Sequence, residues 1–185
     1  DVLALKILGR KLIVHLQGPI GRYYKKTSTK VALQICDKVL VSTPDLLRYS
    51  PSAKWLPNPI DPIFKPLSKP YRKRKALYFK SPYNIEKGSD ILVQKLSEKM
   101  GLKLTALDRK IPYVDMPQIL NKYEYFFDRF NIPSLSKTAL EALACGCKVI
   151  SWKGLAKNGE EILEKHSLRN VIDKLLAIYS ELANT

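Results

Sequence analysis

The sequence predicts an α/β fold built on Rossmann-like parallel sheets, and three of its features carry that expectation. Short runs rich in β-branched and aromatic residues alternate with helical patterns along most of the chain, the signature of strands joined by helical crossovers. Five prolines fall between Pro57 and Pro70. Proline density of that kind stiffens a linker against helix or sheet, so the chain is expected to divide there. A long helical pattern closes the sequence, and no internal repeat or low-complexity tract interrupts the alternation.

Taken in order, the expected strands are KLIVHLQ (11–17), KVLVST (38–43), AKWLPN (53–58), ALYFKS (76–81), LKLTAL (102–107), EYFFD (124–128) and CKVISW (147–152). The helical candidates are KVALQIC, GSDILVQKLSEKM, MPQILNK, KTALEALAC and GEEILEK, followed by the closing LRNVIDKLLAIYSEL. Residues 71–167 supply four strand–helix units, enough for one Rossmann-like half, whereas residues 1–58 supply only three strands. The expected organisation is a partial first lobe over 1–58, a proline-rich linker over 59–70 and a second lobe with the closing helix over 71–185. Because the sequence opens at Asp1 without a methionine, it is expected to be part of a larger protein.

Composition narrows the function. With 185 residues, 45% apolar and 26% charged, the chain can bury a sizeable core. No apolar run reaches the roughly 18 residues of a membrane span, and the opening DVLALKILGRK has neither a basic leader nor a cleavage site. Three cysteines, Cys36, Cys145 and Cys147, form no C-x-x-C pair, which suits reduced thiols in a cytoplasmic setting with structural, small-residue roles. Lys plus Arg number 32 against 17 Asp plus Glu, leaving +15 and pointing to anionic partners. The excess concentrates in KPLSKPYRKRKALYFK, residues 65–80, with seven basic side chains and no acidic one. A solvated basic face is the plain reading of such a run. Phosphate-bearing ligands, anionic membranes and nucleic acid are the functional ones.

In open parallel sheets ligands sit at the carboxyl ends of strands, where helix N-termini present free N–H groups to anions. Two loops stand at such places. In SPYNIEKGSDIL, Lys87 can meet a phosphate as a point charge while Gly88 lets backbone approach; otherwise they are an exposed lysine and a helix start. In NIPSLSK, the chain leads into the helix that carries Glu141. TALE fits a capping box with Thr138 as cap and Glu141 three positions on. With Ser136 as cap instead, the helix is longer and Glu141 lies beyond the capping turn, in need of another partner.

These residues match a family. PSLSKTALEALACGCKVISW resembles the signature of the retaining family-four glycosyltransferases of GT-B fold, and KLIVHLQGPIGR, DKVLVSTPDLLRYSPSAKWLPNPIDPIF and EKGSDIL fit in the same order. The resemblance runs from about Lys11 to near the end. It implies transfer of a sugar of the hexosyl type from a nucleotide-diphospho-sugar to a glycan, lipid-linked or protein acceptor, with retention and without metal or other cofactor. It makes residues 1–58 the acceptor-side lobe and 71–185 the nucleotide-sugar-binding one. Glu141 then accepts hydrogen bonds from the donor ribose, a task for an ionised acid. Lys87, with Gly88, neutralises the diphosphate as charge develops on the leaving group. Ser136, Lys137 and Thr138 open the helix that cradles the same diphosphate. His15 faces the donor sugar, where its plain alternative is a structural histidine.

Two departures bear on catalysis. The family's other glutamate, eight positions before Glu141, is here Pro133, and the arginine expected before EKG is replaced by Lys80, which lacks the planar fork of a guanidinium. Asp128 or Arg129 in FFDRF are the candidates to replace the missing groups. A catalytically impaired sugar-nucleotide-binding protein and a basic nucleic-acid-binding protein are the alternatives, the last disfavoured as a partner class. Arg72, Lys73, Arg74 and Lys75 are expected on the surface, drawing a cytoplasmic protein peripherally to anionic bilayers.

Overall fold

The computed structural model describes residues 2–17, 27–67, 73–80, 89–108, 110–156 and 158–184. All seven expected strands form, and two compact units emerge: residues 1–59 with 165–185, and residues 60–164.

In the first unit, β1 (Ile13–Leu16), β2 (Lys38–Val41) and β3 (Lys54–Trp55) make a parallel sheet in that order, with Ile13 opposite Lys38 and Leu40 opposite Lys54. Two helices precede β2, α1 (Val2–Ile7) and α2 (Thr27–Ile35). Asp37 ties α1 to the entry of β1, accepting Lys6 Nζ at 2.6 Å and the Leu12 amide at 2.7 Å. That pair of donors holds its carboxyl below the usual range. Side chains alternate along the strands. Ile13, Leu40 and Leu56 pack with one set of residues, and Leu16, Val39, Val41 and Trp55 with another that includes Leu46 of a 3-10 turn at Pro44–Arg48.

The second unit holds a five-stranded sheet in the order β5 (Lys103–Leu107), β4 (Lys75–Phe79), β6 (Tyr125–Phe127), β7 (Lys148–Ser151) and β8 (Gly154–Leu155). The first four are parallel; β8 returns antiparallel through a turn at Gly154, whose φ of 83° suits a residue without a side chain. Four helices of the unit lie among the described residues: α3 (Ser89–Lys99), α4 (Met116–Leu120), α5 (Lys137–Ala144) and α6 (Gly159–Lys165). Ala76 through Phe79 are buried without a break because both faces of β4 are covered. Leu77, Phe79, Phe126 and Val149 face the α5 side with Ala139 and Ala142; Ala76, Tyr78, Phe127 and Ile150 pack with Val93 of α3 on the other. Cys145 and Cys147 are buried, the latter's Sγ directed at the Leu120 and Tyr123 carbonyls, so both serve as small core residues.

Three findings depart from the sequence expectations. The closing helix, α7 (Leu168–Ala183), belongs to the first unit and not to the second: Val171, Ile178 and Leu182 bury against Leu40 and Leu56 of the first sheet. Its stripe marks one apolar face but not the sheet that face meets. Residues 60–67 are no free linker, since Phe64 enters the second unit's core and Asn121 bonds the Leu67 amide and the Lys65 carbonyl. In the basic run, Lys73 and Arg74 are exposed but Lys75, at the start of β4, is only half so, and Arg74 spends its guanidinium on the Gly101 and Met100 carbonyls; Arg72 lies outside the described residues. No helix among the described residues is long and apolar enough to cross a membrane.

Candidate functional site

A pocket of about 270 Å³ opens in the second unit, lined by Phe79, Ile111, Tyr113, Met116, Lys137, Thr138 and Glu141. Phe79 ends β4, and Lys137 and Thr138 begin α5, so the pocket lies where a carboxyl strand end meets a helix N-terminus. Its far wall is a 3-10 turn, Tyr113–Asp115, that runs into α4.

The start of α5 settles the capping question. Ser136 is the N-cap, its hydroxyl accepting the Ala139 amide at 3.0 Å, and the helix runs from Lys137 to Ala144. Glu141 therefore lies past the capping turn, and the capping box with Thr138 as cap does not form. The cap takes the Ala139 amide and leaves those of Lys137 and Thr138 at the helix's open end, beside the pocket.

Glu141 is only 3% exposed, yet its Oε1 has no hydrogen-bond partner among the described residues. Lys137 Nζ stands 3.9 Å from it, one helical turn back and beyond hydrogen-bond reach. Burial pushes the carboxyl up to about 7; Lys137 draws it down, Asp61 raises it further, and the Tyr113 hydroxyl draws it down. A buried carboxyl with an open oxygen is costly to the fold and suited to a ligand that brings donors.

Asp128, buried at the end of β6, accepts the Ser136 amide on Oδ2 at 2.8 Å. Arg129 Nε is 4.0 Å from Oδ1, too far to bond it. The Asp128 carboxylate thus fixes where α5 begins, and Asp128→Ala is expected to destabilise the second unit by about 1–3 kcal/mol by stranding a buried amide. Urea unfolding checks this; a variant as stable as wild type would show that the bond is not needed.

The structure brings Lys137, Thr138 and Glu141 together in the pocket, with Ser136 behind them as cap. Lys80 follows Phe79 and is exposed, outside the lining. Lys87 and Gly88 lie outside the described residues. His15 belongs to the first unit, half-buried on β1; its Nδ1 is 3.3 Å from Gln17 Nε2, its Nε2 has no partner among the described residues, and burial lowers its pKa, favouring the neutral ring. Sequence reasoning missed the apolar wall of Ile111, Tyr113 and Met116. Only the proline before Tyr113 hints at a stiff turn there.

No protein-family model and no curated protein matches the sequence. Among solved structures, the chain is similar to sucrose-phosphate synthase from Thermosynechococcus elongatus, at 13% identity and a TM-score of 0.63, over 98% of this chain and 71% of that one. It is also similar to Anabaena Alr3699/HepE in complex with UDP and glucose, at 15% identity and a TM-score of 0.53. A second structure of that protein, with UDP-glucose, gives 15% and 0.52. In both HepE comparisons 81% of this chain is covered, and it spans 55% of theirs. The fold these structures share with the chain is the mixed α/β, parallel-sheet fold of GT-B type.

Proposed function

We propose that the chain binds a nucleotide-diphospho-sugar in the pocket of its second unit and that its protein transfers the sugar to an acceptor, with retention, as a family-four glycosyltransferase. The observation that carries this is Glu141: a buried carboxyl beyond the capping turn, lining a pocket at a carboxyl strand end, with one oxygen open. The UDP and UDP-glucose held by the HepE structures support a donor of that class.

Each residue has a part in this reading. Glu141 takes the ribose hydroxyls, whose two donors suit one carboxylate. The amides of Lys137 and Thr138 and the Lys137 ammonium receive the diphosphate, where the helix's positive end offsets charge as it grows on the leaving group. Lys87 and Gly88, by the family resemblance, neutralise the same diphosphate, with Lys80 nearby in sequence. His15, by the same resemblance, faces the donor sugar. Asp128 acts by holding the α5 turn in place. The apolar wall of Phe79, Ile111 and Met116 shelters the base.

Calorimetric titration with a panel of nucleoside diphosphates and their sugars tests this. Binding of at least one diphosphate, lost on Lys87→Ala more than nucleoside binding is, is the expected result. Donor binding without sugar transfer or hydrolysis would identify an impaired binder, as Pro133 in the glutamate's place permits. No binding across the panel would refute the proposal.

A further inference from the structure

The helix α1 is anchored by its polar residue and shows its apolar ones to solvent. Lys6 Nζ meets Asp37 at 2.6 Å, and the same carboxylate accepts the Leu12 amide, so the helix is held to the first unit through charge. Its apolar side chains take little part in that hold. Leu3 is 58% exposed, Ile7 78% and, just past the helix, Leu8 71%, with Leu5 open to solvent as well. Scattered exposed leucines need no explanation, but a contiguous group of them marks an interaction surface.

Basic residues border this group. The helix ends in a Schellman turn, Gly9 at a φ of 69°, with the Gly9 amide on the Lys6 carbonyl and the Arg10 amide on the Leu5 carbonyl, each at 3.0 Å. That turn sets the exposed Arg10 and Lys11 directly after the apolar cluster. Beside α1 packs α2, which adds the exposed Lys30 and Val31. Residues 2–17 and 27–36 together hold four Lys or Arg and no Asp or Glu. The acid that follows them, Asp37, is taken up by Lys6.

We propose that this face of the first unit docks on an anionic lipid bilayer, with the leucines and Ile7 among the acyl chains and Arg10, Lys11 and Lys30 among the headgroups. At six residues α1 is far too short to span a membrane, and it lies along the surface instead. Charge complementarity singles out this occupant. A second copy would bring the same positive face to a protein already at +15, and the two would repel. Nucleic acid accepts the cations but holds its partners by stacking and phosphate contacts, which leaves aliphatic side chains in water. The inference is independent of the nucleotide reading, since none of these residues lines the pocket.

The test is sedimentation of the full chain with vesicles of phosphatidylcholine alone and of phosphatidylcholine mixed with phosphatidylserine, at low and high salt. Wild type is expected to sediment with the mixed vesicles at low salt and to be released as salt rises. Changing both Ile7 and Leu8 to Ser should weaken that binding by roughly tenfold or more, as should changing both Arg10 and Lys30 to Gln. Both variants should melt with wild type, because the side chains replaced are exposed. Failure of wild type to sediment overturns the proposal, as does equal sedimentation of wild type and the Ile7→Ser, Leu8→Ser variant, or equal binding to the two kinds of vesicle. A concentration-dependent dimer in analytical ultracentrifugation, lost in that same variant, would give the face to a second copy and overturn it too.

Discussion

Replacing Glu141 by Gln is expected to weaken nucleotide binding by roughly 1–3 kcal/mol, through loss of a charged acceptor, while raising the melting temperature of the second unit at alkaline pH. The sign of the stability effect follows from linkage. The carboxyl titrates at about 7 in the folded chain and at the ordinary 4.5 when unfolded, so the folded state holds the extra proton between those values. Its contribution to stability is therefore fully present below 4.5 and is lost as pH rises through about 7. By pH 8 the buried charge costs on the order of 3 kcal/mol, part of which the buried amide of Gln would retain. A gain of about 1–2 kcal/mol, several degrees in a unit of this size, should appear at pH 8 and fade toward pH 5. Calorimetric melts at both pH values, with nucleotide titrations beside them, decide the matter. A lower melting temperature with unchanged affinity would mean that Glu141 serves the helix and not a ligand.

Ending the chain after Glu164 is expected to unfold the first unit and leave the second standing. The deletion takes Val171, Leu175, Ile178 and Leu182 out of the cluster that covers Leu40 and Leu56. Loss of one such side chain to Ala costs about 2–5 kcal/mol, and four together exceed what a three-stranded sheet can spare. It also takes His166, whose Nδ1 lies 2.8 Å from the Asn58 carbonyl, and Glu181, which pairs with Lys38 and Lys54. Amide exchange should show β1 to β3 unprotected and β4 to β7 as slow as in the intact chain. Persisting protection in β2 would mean that α7 is dispensable.

The strands were legible because both periodicities were strong. ALYF and YFF read as strands of a parallel sheet, and β4 and β6 are buried on both faces. Boundaries shrank where ladders end, KLIVHLQ to four residues and AKWLPN to two. The helix α1, the strand β8 and the 3-10 turns at Pro44–Arg48 and Tyr113–Asp115 went unread, being short segments fixed by their surroundings more than by propensity. For α5, sequence offered two caps, and the Asp128 bond to the Ser136 amide, a tertiary contact, goes with the longer helix. Within the site, Glu141, Lys137 and Thr138 could be named through the family resemblance of PSLSKTALEALACGCKVISW. Tyr113 could not, because its role comes from a turn folding over α5, and an aromatic residue in a proline-flanked loop looks the same whether it lines a pocket or not.

The division of the first unit between the two ends of the sequence sets an order of assembly. Residues 60–164 form one continuous stretch, so the second unit has all its partners as soon as it leaves the ribosome. The earlier-made β1, β2 and β3 do not. Leu40 and Leu56 lack the cover of α7 until residues 168–183 are synthesised, and closing so long a loop is slow. The first sheet is thus completed only after the whole second unit has been made, and until then it is exposed to chaperones, proteases and mispairing.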